Sequence, residues 1–426
     1  GRVWCAAVET SAAHEAVETL WKMESARLIA GLARVQRDVS LAEELAHDAL
    51  VTALQRWPTD GVPNNPGAWL MTTAKRAALD YFRRNRMAAR KLAELGHDLA
   101  EEEQTPPDLD SALDDDVGDE LLGLIFTACH PVLSTEARVA LTLRLVGGLT
   151  TDEIARAFLT AEPPIAQRIV RAKRQIAEAR LPFEVPRGAE RTARLGSVLE
   201  VIYLIFNEGY SATSGGDWLR PELCNEALRL GRILARLAPD DGEVHGLVAL
   251  MEIQSSRLKA RLGPDGAPIL LLDQNRGRWD QMLIRRGLAA LAEAEKHGAL
   301  GIYGLQAAIA ACHARARRAE DTDWRRIAAL YDALLERAPS PVVALNRAVA
   351  HAFAFGPQAG LDLADAIAGE PALKNYHLLP SVRADLLFKL GRMTEARAEF
   401  ERAAAMTRNE RERAMLLERA REANVE

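Results

Sequence analysis

Apolar residues along this chain recur every three or four positions rather than at alternate positions. That spacing places them on one face of an α-helix, whereas a half-buried strand would alternate. Alanine, leucine, arginine and glutamate, which favour helices, dominate nearly everywhere. The pattern therefore predicts an all-α fold.

The N-terminal part is predicted to contain three helices. Residues 12–56 form two of them, divided at 36–40, where Ser40 is a suitable N-cap for the second. A break at 58–66 follows, since prolines bound it. The third helix covers residues 67–95 and has one apolar and one basic face.

A helix-turn-helix is predicted between residues 134 and 180. Three short helices are separated by turns at Gly147-Gly148 and Glu162-Pro163-Pro164, and Thr150 is a suitable cap for the middle one. In the last helix, apolar and basic residues recur at helical spacing and so lie on two different faces. Its predicted inward residues are Ile165, Ile169, Ala172 and Ile176.

From Arg187 onward we expect roughly ten more helices, joined by turns rich in Gly, Pro and Asp. Such a series predicts stacked helical hairpins of the tetratricopeptide (TPR) kind, in which small residues at fixed offsets let neighbouring helices approach closely. The clearest unit comprises Ala384, Leu387, Gly391, Ala396, Phe400 and Ala403. Because the period is degenerate elsewhere, we describe the array as TPR-like.

An acidic segment interrupts the helical pattern at residues 94–120. It holds twelve acidic residues and two consecutive prolines, and no Lys or Arg. This composition is typical of a linker between domains. The predicted parts of the chain are therefore 12–95, 96–120, 121–186 and 187–426.

Composition narrows the classes of function. With 48% hydrophobic and 27% charged residues the chain should fold, and its net charge of -6 means that any nucleic-acid contact must come from local basic patches. The four cysteines lie far apart, and no apolar run approaches about 20 residues, so we expect a cytoplasmic protein. On a helix, adjacent residues such as Cys129 and His130 point in different directions, so their side chains cannot both bind one zinc ion. No catalytic constellation appears either, so we expect no enzyme, no cofactor and no metal.

The basic helix of 67–95 carries interleaved aromatic residues, Trp69, Tyr81 and Phe82. Attraction to phosphate combined with stacking on exposed bases is what binding of single-stranded DNA requires. A solvated amphipathic helix with its aromatic residues in the core explains the same pattern. The basic residues are Lys75, Arg76, Arg83, Arg84, Arg86, Arg90 and Lys91.

The last helix of the predicted helix-turn-helix has the form that lays its N-terminal half in the major groove. Gln and Arg there make bidentate contacts with adenine and guanine edges, and the other basic residues meet phosphate. A structural hairpin with a charged outer face is the alternative. The outward residues are Gln167, Arg168, Arg171, Lys173 and Arg174.

Residues 38–50, Trp69-Leu70 and 80–84 resemble conserved region 2 of extracytoplasmic-function sigma factors, which carry bacterial RNA polymerase to promoters. The resemblance implies that the first helix docks on the β′ clamp of the polymerase, through Asp38, Glu43, Glu44 and Asp48. It also implies that the 58–66 loop and the basic helix engage the melted -10 element. The residues implied there are Asn64, Asn65, Lys75, Arg76, Arg83, Arg84 and Arg86, and turn chemistry explains the two asparagines equally well.

The helix-turn-helix resembles region 4 of the same family, whose second helix reads the -35 element and which meets the polymerase β flap. The implied -35 residues are the five outward residues given above. Ala166 stands where the family usually has a basic residue, and Glu162-Pro163-Pro164 replaces a Gly-Thr type cap. In that family the linker threads toward the polymerase active centre, although a flexible tether explains the acidic segment equally well.

Sequence through the C-terminus looks like the sigma-factor subgroup with TPR-like extensions, often encoded beside small DGPF/YCII-type proteins. The resemblance implies control by the extension, with core RNA polymerase, promoter DNA and a DGPF/YCII-type protein or another ligand as partners. The polar, aromatic stretch 206–210 with 215–218 is either a contact surface or a glycine turn. Two rival classes stay open: a helix-turn-helix regulator with a repeat sensor domain, and a TPR adaptor. The first leaves residues 38–91 unexplained, and the second leaves both basic helices unexplained.

Overall fold

The computed structural model describes residues 17, 21, 24–34, 36–94, 117–158, 160–210, 221–264, 269–407 and 410–423. These residues form helices, short 3-10 turns and loops, and they contain no extended strand, which confirms the predicted all-α fold. The chain divides into two compact units, Gly1–Leu237 and Ala238–Glu426. Residues 95–116, which make up most of the predicted acidic linker, lie outside the described residues.

The first unit begins with helical residues 24–34. Its further helices are α1 (Val39–Asp60), α2 (Pro66–Glu94), α3 (Val117–Ala128), α4 (Thr135–Leu145), α5 (Thr151–Ala157), α6 (Glu162–Glu178), α7 (Gly188–Tyr210) and α8 (Pro221–Leu237).

The start and end of α1 differ from the sequence prediction. Asp38 is the N-cap, and its carboxylate accepts hydrogen bonds from the backbone N–H groups of Ser40 and Leu41 at 2.8 and 3.1 Å. The prediction of Ser40 as the cap was therefore wrong. The helix also runs through Pro58 to Asp60, so the predicted break is shorter than expected. Gly61 ends it, because its φ of +82° favours glycine.

The helices α1 and α2 pack through small residues. Ala42, Ala46 and Ala49 of α1 are fully buried, as are Ala74 and Ala78 of α2. Alanine at such positions lets two helix backbones approach closely, which burial of larger side chains would prevent. This close packing places the basic face of α2 outward.

The helix-turn-helix forms as predicted from α4, α5 and α6. Thr150 caps α5 in a reciprocal pair: its hydroxyl accepts from the backbone N–H of Glu153 at 3.1 Å, while the Glu153 carboxylate accepts from the Thr150 N–H at 2.8 Å. Gly148 has a φ of +71° in the preceding turn. Glu162-Pro163-Pro164 lies within the first turn of α6 rather than before it. The four predicted inward residues of α6 are all buried.

The helices α7 and α8 belong to the same compact unit as the helix-turn-helix. On α7, Arg194 donates to the Phe126 carbonyl at 2.9 Å, and the Ser197 hydroxyl donates to the Cys129 carbonyl at 2.7 Å. Arg138 of α4 adds a hydrogen bond to the Ser197 hydroxyl at 2.5 Å. The compact unit thus includes the first two helices that follow the predicted boundary at Arg187.

The second unit is a series in which consecutive helices pack on one another. Its α-helices are α9 (Gly242–Ser255), α10 (Gln281–Lys296), α11 (Ile302–Arg315), α12 (Trp324–Arg337), α13 (Pro341–Phe355), α14 (Pro357–Ala366), α15 (Leu378–Lys389), α16 (Met393–Met406) and α17 (Glu410–Glu422). Five of the six residues of the predicted TPR unit are buried in one cluster between α15, α16 and α17. The sixth, Gly391, turns the chain between α15 and α16 at a φ of +75°.

Candidate nucleic-acid interface

The outer face of α6 brings four of the five predicted -35 residues together. Gln167, Arg171 and Arg174 are exposed and Arg168 is half-buried. They line a groove of about 530 Å³ that α6 forms with the start of α4. A row of one amide and three guanidinium groups on an exposed helix is suited to base edges and phosphates.

One acidic side chain also lines this groove. Glu136 lies in the first turn of α4, where hydrogen bonds from its own backbone N–H and from the Ser134 hydroxyl lower the pKa of its carboxyl. The nearby Arg168 acts in the same direction. The groove is therefore basic overall but carries one fixed negative charge at its edge.

Lys173 is the exception among the predicted -35 residues, since it turns away from the groove. Its ammonium group contacts the carboxylate of Glu43 on α1. The other carboxylate oxygen of Glu43 accepts from Arg144 Nε on α4 at 2.6 Å. The three side chains expose only 8% (Glu43), 16% (Lys173) and 21% (Arg144) of their surface. We call these three residues the Glu43 triad.

Two opposing effects determine the pKa of the Glu43 carboxyl. Burial acts to raise the pKa of the Glu43 carboxyl, but Lys173 and Arg144 outweigh it, so that the pKa lies below its usual range. The carboxylate is therefore ionised at neutral pH. Arg144 also donates to the Leu149 carbonyl at 3.2 Å, which ties the triad to the turn before α5.

A second ion pair joins the helical residues 24–34 to α3. Arg34 donates to the carboxylate of Glu120 at 3.1 Å, and the Glu120 side chain is 3% exposed. This pair holds residues 24–34 against α3, while the Glu43 triad holds α1 against the helix-turn-helix.

The basic face of α2 is exposed where the structure describes it. Arg76, Arg83 and Arg84 are exposed, and Lys75 is half-buried. Arg83 lies 3.9 Å from Asp80, a distance at which an exposed pair contributes little. The side chains of Arg86, Arg90 and Lys91 lie outside the described residues.

The loop before α2 holds the two predicted base-reading asparagines. Asn64 is exposed, whereas the side-chain oxygen of Asn65 accepts from the Ala68 backbone N–H at 3.1 Å and so caps α2. Turn chemistry therefore accounts for Asn65. Trp69 packs edge-on against the buried Trp57, with ring centroids 5.4 Å apart, as expected for a residue of the core.

The predicted polymerase-binding residues of α1 fall into two groups. Asp38, Glu44 and Asp48 are exposed, and Asp38 also caps the helix. Glu43 as a whole residue is only 6% exposed, and its carboxylate is paired within the triad. Only three of the four acidic residues are thus presented at the surface in this arrangement.

The sequence did not single out the residues that hold the helix-turn-helix in place. Arg229 of α8 donates to the Val146 carbonyl at 3.0 Å and pairs with Glu226 at 2.7 Å. A Cβ at Gly147 would lie 2.5 Å from the Leu143 carbonyl oxygen and 3.0 Å from Glu226, so glycine is required there. The one available signal was Arg144, a lone charge between Leu143 and Leu145.

Comparison with known proteins assigns both parts of this interface. Residues 20–87 match Sigma-70 region 2, and residues 124–176 match Sigma-70, region 4. The chain belongs to the sigma-70 family. Residues 194–295 of this sigma factor match a family of unknown function, DUF6596. An uncharacterised protein of Rhizobium meliloti (strain 1021) is 44% identical over 387 residues, which cover 90% of each chain.

These matches fix the class of the sigma factor. It is of the extracytoplasmic-function type with a C-terminal extension, and its domains are those of an alternative sigma factor for promoter recognition. The two sigma-70 regions imply core RNA polymerase and promoter DNA as partners. The predicted resemblance to this family is thereby confirmed.

Three further observations concern metal binding, the Cys129 thiol and membrane spans in the sigma factor. Within the described residues, no three His, Cys, Asp or Glu side chains are placed to hold a metal ion. Burial raises the pKa of the Cys129 thiol to about 11, so it is protonated and acts as a small core residue. None of the helices in the described ranges is both long enough and apolar enough to cross a membrane.

Proposed function

We propose that this sigma factor binds core RNA polymerase through the exposed acids of α1, opens the -10 element with α2 and reads the -35 element with α6. The C-terminal extension controls these steps. The observation that carries the proposal is the exposed face of α6, where Gln167, Arg171 and Arg174 lie along one groove. The exposed face of α2 supports it, since it offers a second basic surface within the same unit.

Each exposed residue has a role that suits its chemistry. Gln167 and Arg171 read base edges in the major groove, because an amide and a guanidinium make bidentate contacts there. Arg168 and Arg174 meet phosphate. Glu44 and Asp48 face the clamp of the polymerase, where carboxylates on a helix pair with basic side chains.

The Glu43 triad gives the proposed function a control step. Lys173 is the one predicted -35 residue that pairs with region 2, and Glu43 is the one predicted polymerase-binding residue that is buried. Each of the two therefore masks the other. The arrangement described here is a closed state, and promoter binding separates Glu43 from Lys173.

The extension acts on the same turn as the triad. Arg144 donates to the Leu149 carbonyl from one side, while Arg229 of α8 donates to the Val146 carbonyl from the other. A movement of α8 therefore shifts the turn that positions α5 and Arg144. This link provides a physical route by which the extension controls the closed state.

Transcription in vitro tests the proposed function. Purified core polymerase is supplied with a genomic promoter library, with and without the sigma factor, and the transcript starts are sequenced. We expect new starts that share upstream -35 and -10 elements. The absence of new transcript starts, together with no binding to core polymerase, would favour a helix-turn-helix regulator that acts on duplex DNA alone.

A matched pair of variants tests the role of α6 on the promoters found. Arg171→Gln should reduce initiation about tenfold, since a lost bidentate contact costs roughly 1–3 kcal/mol. Arg191→Gln removes an exposed arginine of α7 and should leave initiation unchanged. Equal effects of the two substitutions would contradict the assignment of α6 as the reading helix.

Duplex DNA binding without polymerase tests the closed state. Glu43→Gln releases Lys173, so we expect tighter binding to a -35 duplex in fluorescence anisotropy. The double variant Glu43→Gln with Lys173→Gln should lose that gain. An unchanged affinity for Glu43→Gln would contradict the control step and leave the promoter role of α6 intact.

A further inference from the structure

A cluster of three buried side chains and one half-buried arginine in the second unit has no part in the proposed function. It consists of Arg257, Arg276, Trp279 and His313, which come from the end of α9, the loop before α10 and the end of α11. Arg257, Trp279 and His313 expose only 8%, 3% and 7% of their surface. We call these four residues the Arg257 cluster.

The aromatic ring of Trp279 holds the two arginines close together. The Arg276 guanidinium carbon lies 4.8 Å from the ring centroid, and that of Arg257 lies 5.9 Å from it. Arg276 also donates to the carbonyls of His313 and Ala316, the latter at 3.0 Å. Arg276 is thereby fixed at the C-terminus of α11, where a positive charge is favourable.

The cluster carries two positive charges without a paired anion. In the described part of the chain, neither Arg257 nor Arg276 forms an ion pair with a carboxylate. The nearest acids act on Arg276 only at longer range, and one of them, Asp321, is already paired with Arg318 at 3.0 Å. Buried charges of one sign are costly unless a partner neutralises them.

The neutral ring of His313 lies beside both arginines. Burial first, and then the charges of Arg257 and Arg276, lower its pKa to about 4. His313 thus adds no positive charge at neutral pH and is able to offer a ring N–H. Its ring also packs edge-on against Trp324, with centroids 5.3 Å apart.

Four nitrogen atoms of the cluster are buried and have no hydrogen-bond partner. They are Arg257 Nε, Arg276 Nε, Trp279 Nε1 and His313 Nδ1. Buried polar groups in folded proteins are almost always hydrogen-bonded, so a cluster with three N–H donors and an imidazole nitrogen is suited to holding an acceptor group. An anion with two or more oxygen atoms would supply both the acceptors and the negative charge.

We propose that the Arg257 cluster binds a small oxyanion, a phosphate or carboxylate group, through its two guanidinium groups. The bound group would connect the end of α9, the loop before α10 and the end of α11. An occupied site would therefore stabilise the second unit. This inference does not depend on promoter recognition, because it rests on residues of the second unit alone.

Calorimetric titration of the full-length protein with inorganic phosphate and, separately, with acetate tests the site and distinguishes the two sources of the oxyanion. We expect one of the two to bind the wild type, and Arg257→Met to weaken that binding at least tenfold. Arg278→Met is the matched control, since Arg278 is an exposed arginine of the same loop. It should bind as the wild type does.

Two further readouts separate a binding site from a structural cluster. Without added anion, Arg257→Met should melt at the same temperature as the wild type or higher, because it removes an uncompensated buried charge. Binding of the anion should raise the pKa of His313 in NMR titrations, and this shift should vanish in Arg257→Met. No anion binding by the wild type, together with a lower melting temperature of Arg257→Met, would overturn the proposal and leave structural water only.

Discussion

The Glu43 triad and the Arg257 cluster each bring two cations together, but only the cations of the triad contact a carboxylate. In the triad, one carboxylate meets two cations, at 2.6 Å in the case of Arg144. In the Arg257 cluster, two guanidinium groups lie near the Trp279 ring without a paired carboxylate in the described residues. A charge group in which every cation contacts a carboxylate holds its parts together, whereas one whose cations contact no carboxylate is suited to binding an anion.

The difference also sets how each group responds to change. Removal of the carboxylate from the Glu43 triad leaves two partly buried cations without their partner and is costly. Removal of one arginine from the Arg257 cluster relieves a repulsion. Substitutions that remove a charge should therefore lower the free energy of unfolding at the Glu43 triad and leave it unchanged or raise it at the Arg257 cluster.

The largest effect is expected from Glu43→Ala, which leaves Arg144 and Lys173 buried without their carboxylate. It should lower the free energy of unfolding of the first unit by about 3–5 kcal/mol. Urea unfolding followed by circular dichroism measures this. Glu44→Ala removes the exposed neighbour on the same helix and should change stability by less than about 0.5 kcal/mol. Comparable losses for the two variants would contradict a stabilising role of the Glu43 triad.

A pH titration should separate the two groups. The pKa of His313 is about 4 in the folded protein, below its unfolded value of about 6.5, so the unfolded chain binds a proton first as the pH falls. Stability of the second unit should therefore decline between about pH 6.5 and 4, by about 3 kcal/mol in all.

The triad titrates at lower pH. Its contribution is fully present above the unfolded pKa of a glutamate, about 4.3, and is lost as the pH falls through the lowered folded pKa of Glu43.

His313→Gln should flatten the decline in the stability of the second unit between pH 6.5 and 4, measured in a buffer of weakly binding ions. An unchanged slope in this variant would show that other groups cause the decline.

The smallest effect is expected from Arg34→Gln at the second ion pair. The Arg34 side chain is 39% exposed, so solvent screens the pair, and Glu120 keeps a further interaction. We expect a loss of about 1 kcal/mol in urea unfolding. Arg27→Gln, at a more exposed pair 3.9 Å from Glu24, should cost less still. A loss as large as that of Glu43→Ala would mean that the triad is not the main contact.

Helical spacing predicted the exposed and buried faces of α6, apart from Lys173, because both faces depend on residues three and four positions apart. The same reasoning could not find the triad, since Arg144 and Lys173 lie 101 and 130 positions from Glu43. Glu43-Glu44 also has the local pattern of two solvated acids. For the start of α1, Asp38 and Ser40 are both good caps, and only the backbone geometry decided between them.

The position of Lys173 has a thermodynamic consequence. One ammonium group cannot neutralise Glu43 and a DNA phosphate at the same time, so the two contacts compete for it. By linkage, the factor by which the Glu43–Lys173 contact lowers the affinity for DNA equals the factor by which bound DNA lowers the equilibrium constant for forming that contact. On the proposed function, a promoter is therefore an effector of the sigma factor as well as its target, and promoters of different affinity would open the protein to different degrees.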